Sequence, residues 1–180
     1  IGEYANAAVL GQLDYWQGVE QSAPAVDASD DAPSVNCLHG DCAVKSVRLS
    51  AAMTGQLLTE ANEAYNTGID DLLLAALART LADWRGQQQT VVMLEGHGRE
   101  DVAGQPGVGA TVGWFTSIYP VVLTAHAQAD TGGHIKAIKE HLRGIPDKGI
   151  GYGILRYLSD REHLKGDLLT AAPDISFNYL

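Results

Sequence analysis

The sequence has 180 residues, 46% of them hydrophobic and 19% charged, which is enough for one globular unit with a sizeable core. The formal net charge of −10 argues against a nucleic-acid partner, because binding to phosphate backbones needs clustered Lys and Arg. No apolar run approaches the roughly 20 residues that cross a bilayer, and no basic segment precedes an apolar one at the start. The sequence therefore predicts a soluble, cytoplasmic protein without a membrane partner.

The N-terminal part is predicted to hold one helix and an exposed connection. Apolar side chains recur at helical spacing over residues 5–16, which predicts a short amphipathic helix. Residues 21–41 lack any hydrophobic period and are rich in Pro, Asp and Ser, so they should form the connection. Cys37 and Cys42 flank His39 there. Structural zinc needs four ligands and no second Cys/His cluster supplies the rest, so we expect free thiols and no metal site.

A strand and two helices are predicted next. Residues 44–49 alternate apolar and polar side chains, which favours a strand, and Ser50 can cap a helix with apolar residues on one face. The following helix begins at Asp70 or Asp71. Its segment 72–84 is apolar nearly all round, as in a buried helix, and the glycine two residues later can end it.

Residues 90–94 are β-branched or apolar and predict a buried strand, which places Glu95 at its C-terminal end. Gly96 and Gly98 allow a tight turn after this strand. A strand end followed by such a turn is a common way to present a reactive group. A second strand is predicted over residues 114–123, after a glycine-rich loop.

The last part of the chain continues this mixture of elements. Residues 135–142 predict a helix whose basic side chains fall late, where they complement the helix dipole. Residues 148–153 form a glycine-rich turn, which no Gly-Lys-Ser/Thr follows, so the glycines should give flexibility rather than bind phosphate. A short helix through Leu158 and a final strand over 175–180 complete an α/β sandwich that no linker divides.

Four segments carry a resemblance to a known family. They are residues 94–100 (LEGHGRE), 111–121 (TVGWFTSIYPV), 145–157 (IPDKGIGYGILRY) and 173–180 (PDISFNYL). One such short string would be weak, whereas four in the family's order and approximate spacing leave little room for chance. Together they resemble the signature motifs of the epimerization domains of nonribosomal peptide synthetases, which belong to the condensation-domain superfamily.

The resemblance implies a fold like that of chloramphenicol acetyltransferase, in which two α/β lobes meet at a tunnel. Residues 1–180 would be an epimerization-domain fragment. Residues 1–20 would end the N-terminal lobe, residues 21–43 would form the exposed connection, and residues 44–180 would form the C-terminal lobe, a two-layer sandwich. The family's doubled His, followed three residues later by Asp-Gly, would precede Ile1, so the fragment alone is expected to be inactive. Ala110 stands where the family often has Arg.

The implied reaction inverts the Cα of an aminoacyl or peptidyl thioester, which a peptidyl carrier protein delivers on phosphopantetheine. Such chemistry needs a base on one face of Cα, an acid on the other, and polar groups at the enolate oxygen. It needs no metal or redox cofactor of the domain itself. Glu95 is the predicted proton-transfer group, and burial at the strand end should strengthen it as a base. The resemblance places Asn178 and Tyr179 in the same tunnel, where Tyr179 could donate a hydrogen bond to the enolate or relay a proton.

Two alternatives stay open. A condensation domain forms peptide bonds in the same fold, although condensation domains lack the Glu-containing LEGHGRE motif. The fragment could also be non-catalytic and bind a carrier protein, the N-terminal lobe of its own domain or neighbouring synthetase modules. Within LEGHGRE, we expect His97 to shape the turn and Arg99 and Glu100 to form ion pairs, Arg99 with an acidic group of the other lobe. The aromatic residues of TVGWFTSIYPV should lie in the core or the tunnel wall.

Overall fold

The structure is a computed structural model that describes residues 9–22, 40, 42–100, 108–158 and 173–179. Six helices and three strands are present in this part of the chain: α1 (Leu13–Gln21), α2 (Ala51–Leu58), α3 (Glu60–Tyr65), α4 (Ile69–Arg85), β1 (Gln89–Gly96), β2 (Ser117–Thr124), α5 (Thr131–Arg143), α6 (Ile150–Leu158) and β3 (Ser176–Phe177). Short 3-10 turns, Leu10–Gln12 and Pro146–Gly149, precede α1 and α6. The predicted mixed α/β class is confirmed. No described helix is long and apolar enough to cross a membrane.

The three strands form one sheet in the order β2-β1-β3, with β2 antiparallel and β3 parallel to β1. Helix α4 packs on β1 and β2, while α1 and α6 pack on β2. The core therefore lies between the sheet and these helices, and Val92, Val121 and Leu123 are almost fully buried in it. The predicted strand over residues 90–94 is confirmed as the centre of β1.

Three predicted strands are wrong or shorter in the structure. Residues 44–49 have no regular structure and pair with none of the three described strands, and Val44 and Val47 are exposed. The strand predicted from Trp114 begins only at Ser117, and Trp114 is 89% exposed. The final strand predicted over 175–180 is reduced to Ser176–Phe177.

The capping predictions are largely confirmed. The Ser50 hydroxyl accepts a hydrogen bond from the Met53 amide at 3.2 Å, but α2 ends at Leu58 and buries no residue, so the predicted apolar face is exposed. Helix α4 begins at Ile69, one residue before Asp70, because the Asp71 carboxylate accepts a hydrogen bond from the backbone N–H of the preceding Gly68 at 2.9 Å.

The ends of the other helices also differ from the predictions. Gly86, with φ 68°, ends α4 as predicted, whereas Trp84 near that end is 73% exposed and not part of a buried face. Helix α1 runs on to Gln21, where the connection was predicted to start. Helix α5 begins before residue 135 because the Asp130 carboxylate caps it, accepting a hydrogen bond from the Gly133 amide at 2.6 Å.

Cys42 is an exposed free thiol, while Cys37 and His39 lie outside the described residues.

Candidate functional site

Glu95 is brought next to Asn178 by the register of the two parallel strands. Met93 pairs with Ser176 and Leu94 pairs with Phe177, so the next step along both strands places Asn178 beside Glu95. The Asn178 side-chain amide donates a hydrogen bond to Glu95 Oε2 at 2.8 Å. Two residues that are 83 positions apart in sequence therefore act as one unit, in which the amide fixes one oxygen of the carboxylate.

Two cavities meet at Glu95. One is a cleft of about 460 Å³, lined by Glu95 and Tyr179 together with Tyr119 of β2 and the start of α4. The other, of about 530 Å³, is lined by Glu95, Asn178 and Tyr179 and by the loop that contains Trp114. The structure thus brings all three sequence-predicted site residues to the walls of shared cavities.

Glu95 is nevertheless exposed, and Tyr179 is 46% exposed. The expected burial of Glu95 at the strand end is therefore wrong for the part of the chain that the structure describes. The reason is local, since Glu95 is the second-last residue of β1 and its antiparallel partner Ile118 is itself 53% exposed. The carboxylate therefore lies at the exposed end of the strand.

The Arg99 side chain binds backbone carbonyls of the loop that lines the second cavity. Its Nη1 donates to the carbonyls of Val108 and Thr111 at 2.7 and 2.8 Å, and Nη2 donates to that of Gly113 at 3.2 Å. Its guanidinium carbon also lies 4.4 Å from the centre of the Phe115 ring. The ion pair predicted between Arg99 and an acidic group of the other lobe stays a prediction. The carbonyl contacts explain why residues 111–116 form a loop and not the start of β2, because these carbonyls bind a side chain instead of a strand.

Glu100 forms the ion pair predicted for it. Its Oε2 lies 2.9 Å from Lys148 Nζ, and its Oε1 lies 3.1 Å from His97 Nε2. His97 Nδ1 accepts a hydrogen bond from the Arg99 amide at 3.0 Å, so Nε2 is the nitrogen that donates to Glu100. His97 therefore shapes the turn, as predicted, and Glu100 links that turn to the segment before α6.

That segment contains three consecutive residues with positive φ: Asp147 (43°), Lys148 (49°) and Gly149 (83°). Such a conformation is strained for residues other than glycine and persists only where neighbours fix it. Here Gln12 donates to the Asp147 carboxylate at 2.7 Å, and Lys148 reaches Glu100. The expectation that these glycines give flexibility is wrong for Gly149, because this residue fits closely against the Tyr119 ring. The role of Lys148 in the cleft was not predicted, since a left-handed backbone at Asp147 and Lys148 has no strong sequence signal.

An ion pair anchors the segment that carries Asn178 and Tyr179. Arg85, the last residue of α4, makes two hydrogen bonds to the Asp174 carboxylate, at 2.6 and 3.3 Å. The hydrogen bonds from Arg85 hold the pKa of Asp174 below its ordinary value, against a smaller opposing effect of burial. The pair connects the core helix to the start of β3 and so limits where Asn178 can lie.

We expect Asp174→Asn to destabilise the protein at neutral pH but not in acid. Because the folded-state pKa is lowered, the carboxylate's contribution is present above its unfolded value, ~3.9, and is lost as pH falls through the folded value. The pair is solvent-accessible, so the loss should not exceed about 1 kcal/mol. Urea midpoints of both proteins at neutral pH and well below ~3.9 measure it. An equal difference at both pH values would contradict the assignment.

Comparison with known proteins places this site in a family. The sequence profile described as "Condensation domain" matches residues 3–180. The chain belongs to the condensation-domain family. The chain is 44% identical to tyrocidine synthase 1 of Brevibacillus parabrevis over 181 residues. The match covers 100% of the chain and 17% of the synthase. The chain is also 41% identical over 182 residues to gramicidin S synthase 1 of Brevibacillus brevis, covering 100% of the chain and 16% of that synthase.

A solved structure matches the condensation-family chain over nearly its whole length. It is the epimerization domain from the third module of tyrocidine synthetase B, with a TM-score of 0.88 and 38% identity. The match covers 99% of this chain and 40% of that one. The chain therefore has the fold of the corresponding part of that domain, and it spans well under half of the solved structure and less than a fifth of either synthase.

Proposed function

We propose that the domain containing this chain inverts the Cα of an amino acid or peptide held as a thioester on the phosphopantetheine of a peptidyl carrier protein. The observation that carries the proposal is the carboxylate of Glu95, which Asn178 fixes at 2.8 Å at the wall of a cavity that Tyr179 also lines. A carboxylate fixed at the wall of a cavity is placed to take a proton from a substrate bound there. The likeness to a solved epimerization domain supports the same choice.

In this proposal Glu95 takes the Cα proton. The electron pair of the broken C–H bond moves into the enolate, whose charge collects on the thioester oxygen, and a proton delivered to the opposite face gives the inverted centre. Asn178 occupies Glu95 Oε2, which leaves Oε1 to accept the proton. Tyr179 donates a hydrogen bond to the enolate oxygen or relays the proton. By family resemblance, the group on the opposite face is a His of the segment that precedes Ile1.

The proposal also assigns the parts of the domain and its partners. Residues 1–20 would form the end of an N-terminal lobe, and residues 44–180 would form the C-terminal lobe. Residues 21–43 would form the exposed connection between them. The N-terminal lobe would cover the exposed apolar side chains beside the second cavity, Val112, Trp114 and Ile118, which are 99%, 89% and 53% exposed. The carrier protein would bring the phosphopantetheine thioester from neighbouring synthetase modules in the cytoplasm.

Peptide-bond formation is the second candidate, because the matching family is that of condensation domains. The test uses the full-length synthetase in deuterated water, with its carrier protein loaded with an L-aminoacyl thioester and a second aminoacyl thioester supplied as the partner for condensation. Epimerization gives a thioester of unchanged length that carries deuterium at Cα and contains the D-isomer. Condensation gives a longer, peptidyl thioester without exchange. Carrier binding with neither product would favour a non-catalytic role and would exclude our proposal.

We expect Tyr179→Phe to slow Cα exchange without stopping it. Removing a single oxyanion-type hydrogen bond typically lowers the rate by roughly 10²–10³-fold. The measurement is the rate of deuterium incorporation into the loaded thioester under single-turnover conditions. The matched control is Tyr157→Phe, an exposed tyrosine that does not line the cleft. A Tyr179→Phe variant at the wild-type rate would reduce Tyr179 to a packing role.

A further inference from the structure

Lys148 connects the turn after Glu95 to the segment before α6. Strand β1 ends at Gly96, whose pairing with Ser117 is the last step of the β1–β2 ladder. Glu100 lies at the far end of the turn, and its Oε2 is 2.9 Å from Lys148 Nζ. The end of a strand opens more easily than its centre, so the contacts of this turn affect how firmly Glu95 is held.

Lys148 adopts a backbone conformation that glycine would adopt more easily. Its φ of 49° is left-handed, which is strained for a residue with a side chain, whereas the next residue with positive φ is Gly149. Among the described residues, Glu100 is the one carboxylate within ion-pair distance of the Lys148 ammonium group. Strained residues concentrate where their side chains have a function, and both members of this pair line the cleft that Glu95 also lines.

The segment that carries Lys148 is itself fixed to the core. The Gln12 side chain, which is only 9% exposed, donates to the Asp147 carboxylate at 2.7 Å. Its Oε1 accepts a hydrogen bond from the indole of the fully buried Trp16 at 3.2 Å. Arg99, by contrast, connects the turn after β1 to carbonyls of a mostly exposed loop. Lys148 is therefore the contact through which the turn is joined to a rigid part of the protein.

The ion pair acts on the backbone that carries Glu95, whereas Asn178 acts on the carboxylate itself. Asn178 donates to Glu95 Oε2 at 2.8 Å. On the other side of the turn, both oxygens of the Glu100 carboxylate are engaged, one by Lys148 and one by His97 Nε2 at 3.1 Å. His97 is two residues from Glu95. Loss of the lysine would thus leave the turn held to His97 within itself, but free to move relative to the core.

We propose that Lys148 is a positioning residue for Glu95, which it serves by holding the end of β1 in place through Glu100. This inference rests on the function proposed above and assigns Lys148 no contact with the substrate. Proton transfer depends strongly on placement, since a displacement of about 1 Å caused by a remote change can lower a rate by roughly 10²-fold. The effect is therefore expected in kcat. Substrate binding should change little, because no binding contact is removed.

The first test compares lysine variants in the full-length synthetase. Lys148→Met keeps the aliphatic chain and removes the charge, and we expect it to lower kcat for Cα deuterium exchange by roughly 10–10²-fold with little change in KM. Lys148→Arg restores the cation and should recover most of the rate. Lys136→Met is the matched control, because Lys136 is an exposed lysine of α5 that lines neither cavity at Glu95. A wild-type kcat in Lys148→Met would overturn the inference.

Lys148→Gly separates positioning from stability. Glycine accepts the left-handed backbone without strain, which should offset the extra freedom that it gives the unfolded chain. We therefore expect the urea midpoint to be no lower than that of wild type, while kcat falls as in Lys148→Met. A midpoint and a kcat that fall together would show that the lysine is needed only for stability, and the positioning role would be wrong.

A double-mutant cycle and amide hydrogen exchange complete the test. Glu100→Gln should also slow Cα exchange, and adding Lys148→Met to it should slow the reaction little further, because both changes break the same contact. Amide protection of residues 95–100 should fall in Lys148→Met and be retained in Lys136→Met. If wild-type protein shows no Cα exchange, the proposed function is wrong and the inference falls with it. If wild type exchanges and Lys148→Met matches it in both rate and amide protection, only the inference is wrong.

Discussion

Glu95→Gln should abolish Cα exchange in the complete domain while leaving its fold and carrier-protein binding intact. The glutamine side chain keeps the shape of glutamate, and its amide oxygen can still accept the hydrogen bond from Asn178. It cannot take up a proton at neutral pH. General bases typically contribute about 10²–10⁴-fold to a rate, so residual exchange should fall to or below the limit of detection.

Two readouts check this result independently. Mass spectrometry measures deuterium in the loaded thioester, and chiral chromatography after hydrolysis measures inversion. Glu140→Gln is the matched control, because Glu140 is an exposed carboxylate of α5 that does not line the cleft. Binding of the loaded carrier protein should be equal in all three proteins. Undiminished exchange in the Glu95 variant would remove Glu95 from the mechanism.

The parts of the fold that the sequence predicts correctly depend on local signals. Ser50 and Gly86 are read correctly because a cap is decided by residues within one turn of the helix. Residues 44–49 show the limit of such signals. Their alternation is that of a strand, but pairing requires a neighbouring edge, and the pattern cannot report whether one exists.

The candidate site, too, could be predicted from the sequence only in part. A buried, β-branched segment followed by glycines places Glu95 at a strand end, and the structure has it there. Family resemblance grouped it with Asn178 and Tyr179, but only the parallel register between distant strands gives the contact itself. The carbonyl partners of Arg99 and the close approach of Gly149 to Tyr119 could not be predicted. Both are consequences of long-range packing, which leaves no period or spacing in the sequence.

Gly149→Ala is expected to have a large structural effect on the cleft wall, because the added methyl group would collide with the Tyr119 ring. The new Cβ would meet ring carbons of Tyr119 at 2.1 to 2.3 Å, and it would be added at a φ of 83°. Left-handed backbone costs a residue other than glycine about 1–3 kcal/mol. Overpacking in a well-packed region adds roughly 1–3 kcal/mol. The ring cannot simply move away, because Trp16 packs against it.

Gly86→Ala and Gly153→Ala separate these two effects. Gly86 also has a positive φ, 68°, but a Cβ there meets nothing within 4 Å, so its substitution reports the backbone cost alone. Gly153 has open space and lies inside α6, where alanine is the better helix former by roughly 1 kcal/mol. The expected order of stability is therefore Gly153→Ala above wild type, then Gly86→Ala, with Gly149→Ala lowest.

Urea midpoints of the complete domain, followed by tryptophan fluorescence, measure this order, and Cα exchange measured well below each midpoint separates stability from activity. Gly86→Ala should retain the wild-type exchange rate, because Gly86 lies at the far end of α4 from the cleft. Gly149→Ala should slow exchange even where it remains folded, since its Cβ displaces the Tyr119 ring from the cleft wall. If Gly149→Ala were no less stable than Gly86→Ala, the close approach of the turn to Tyr119 would not exist in solution, and the cleft wall would need a different arrangement.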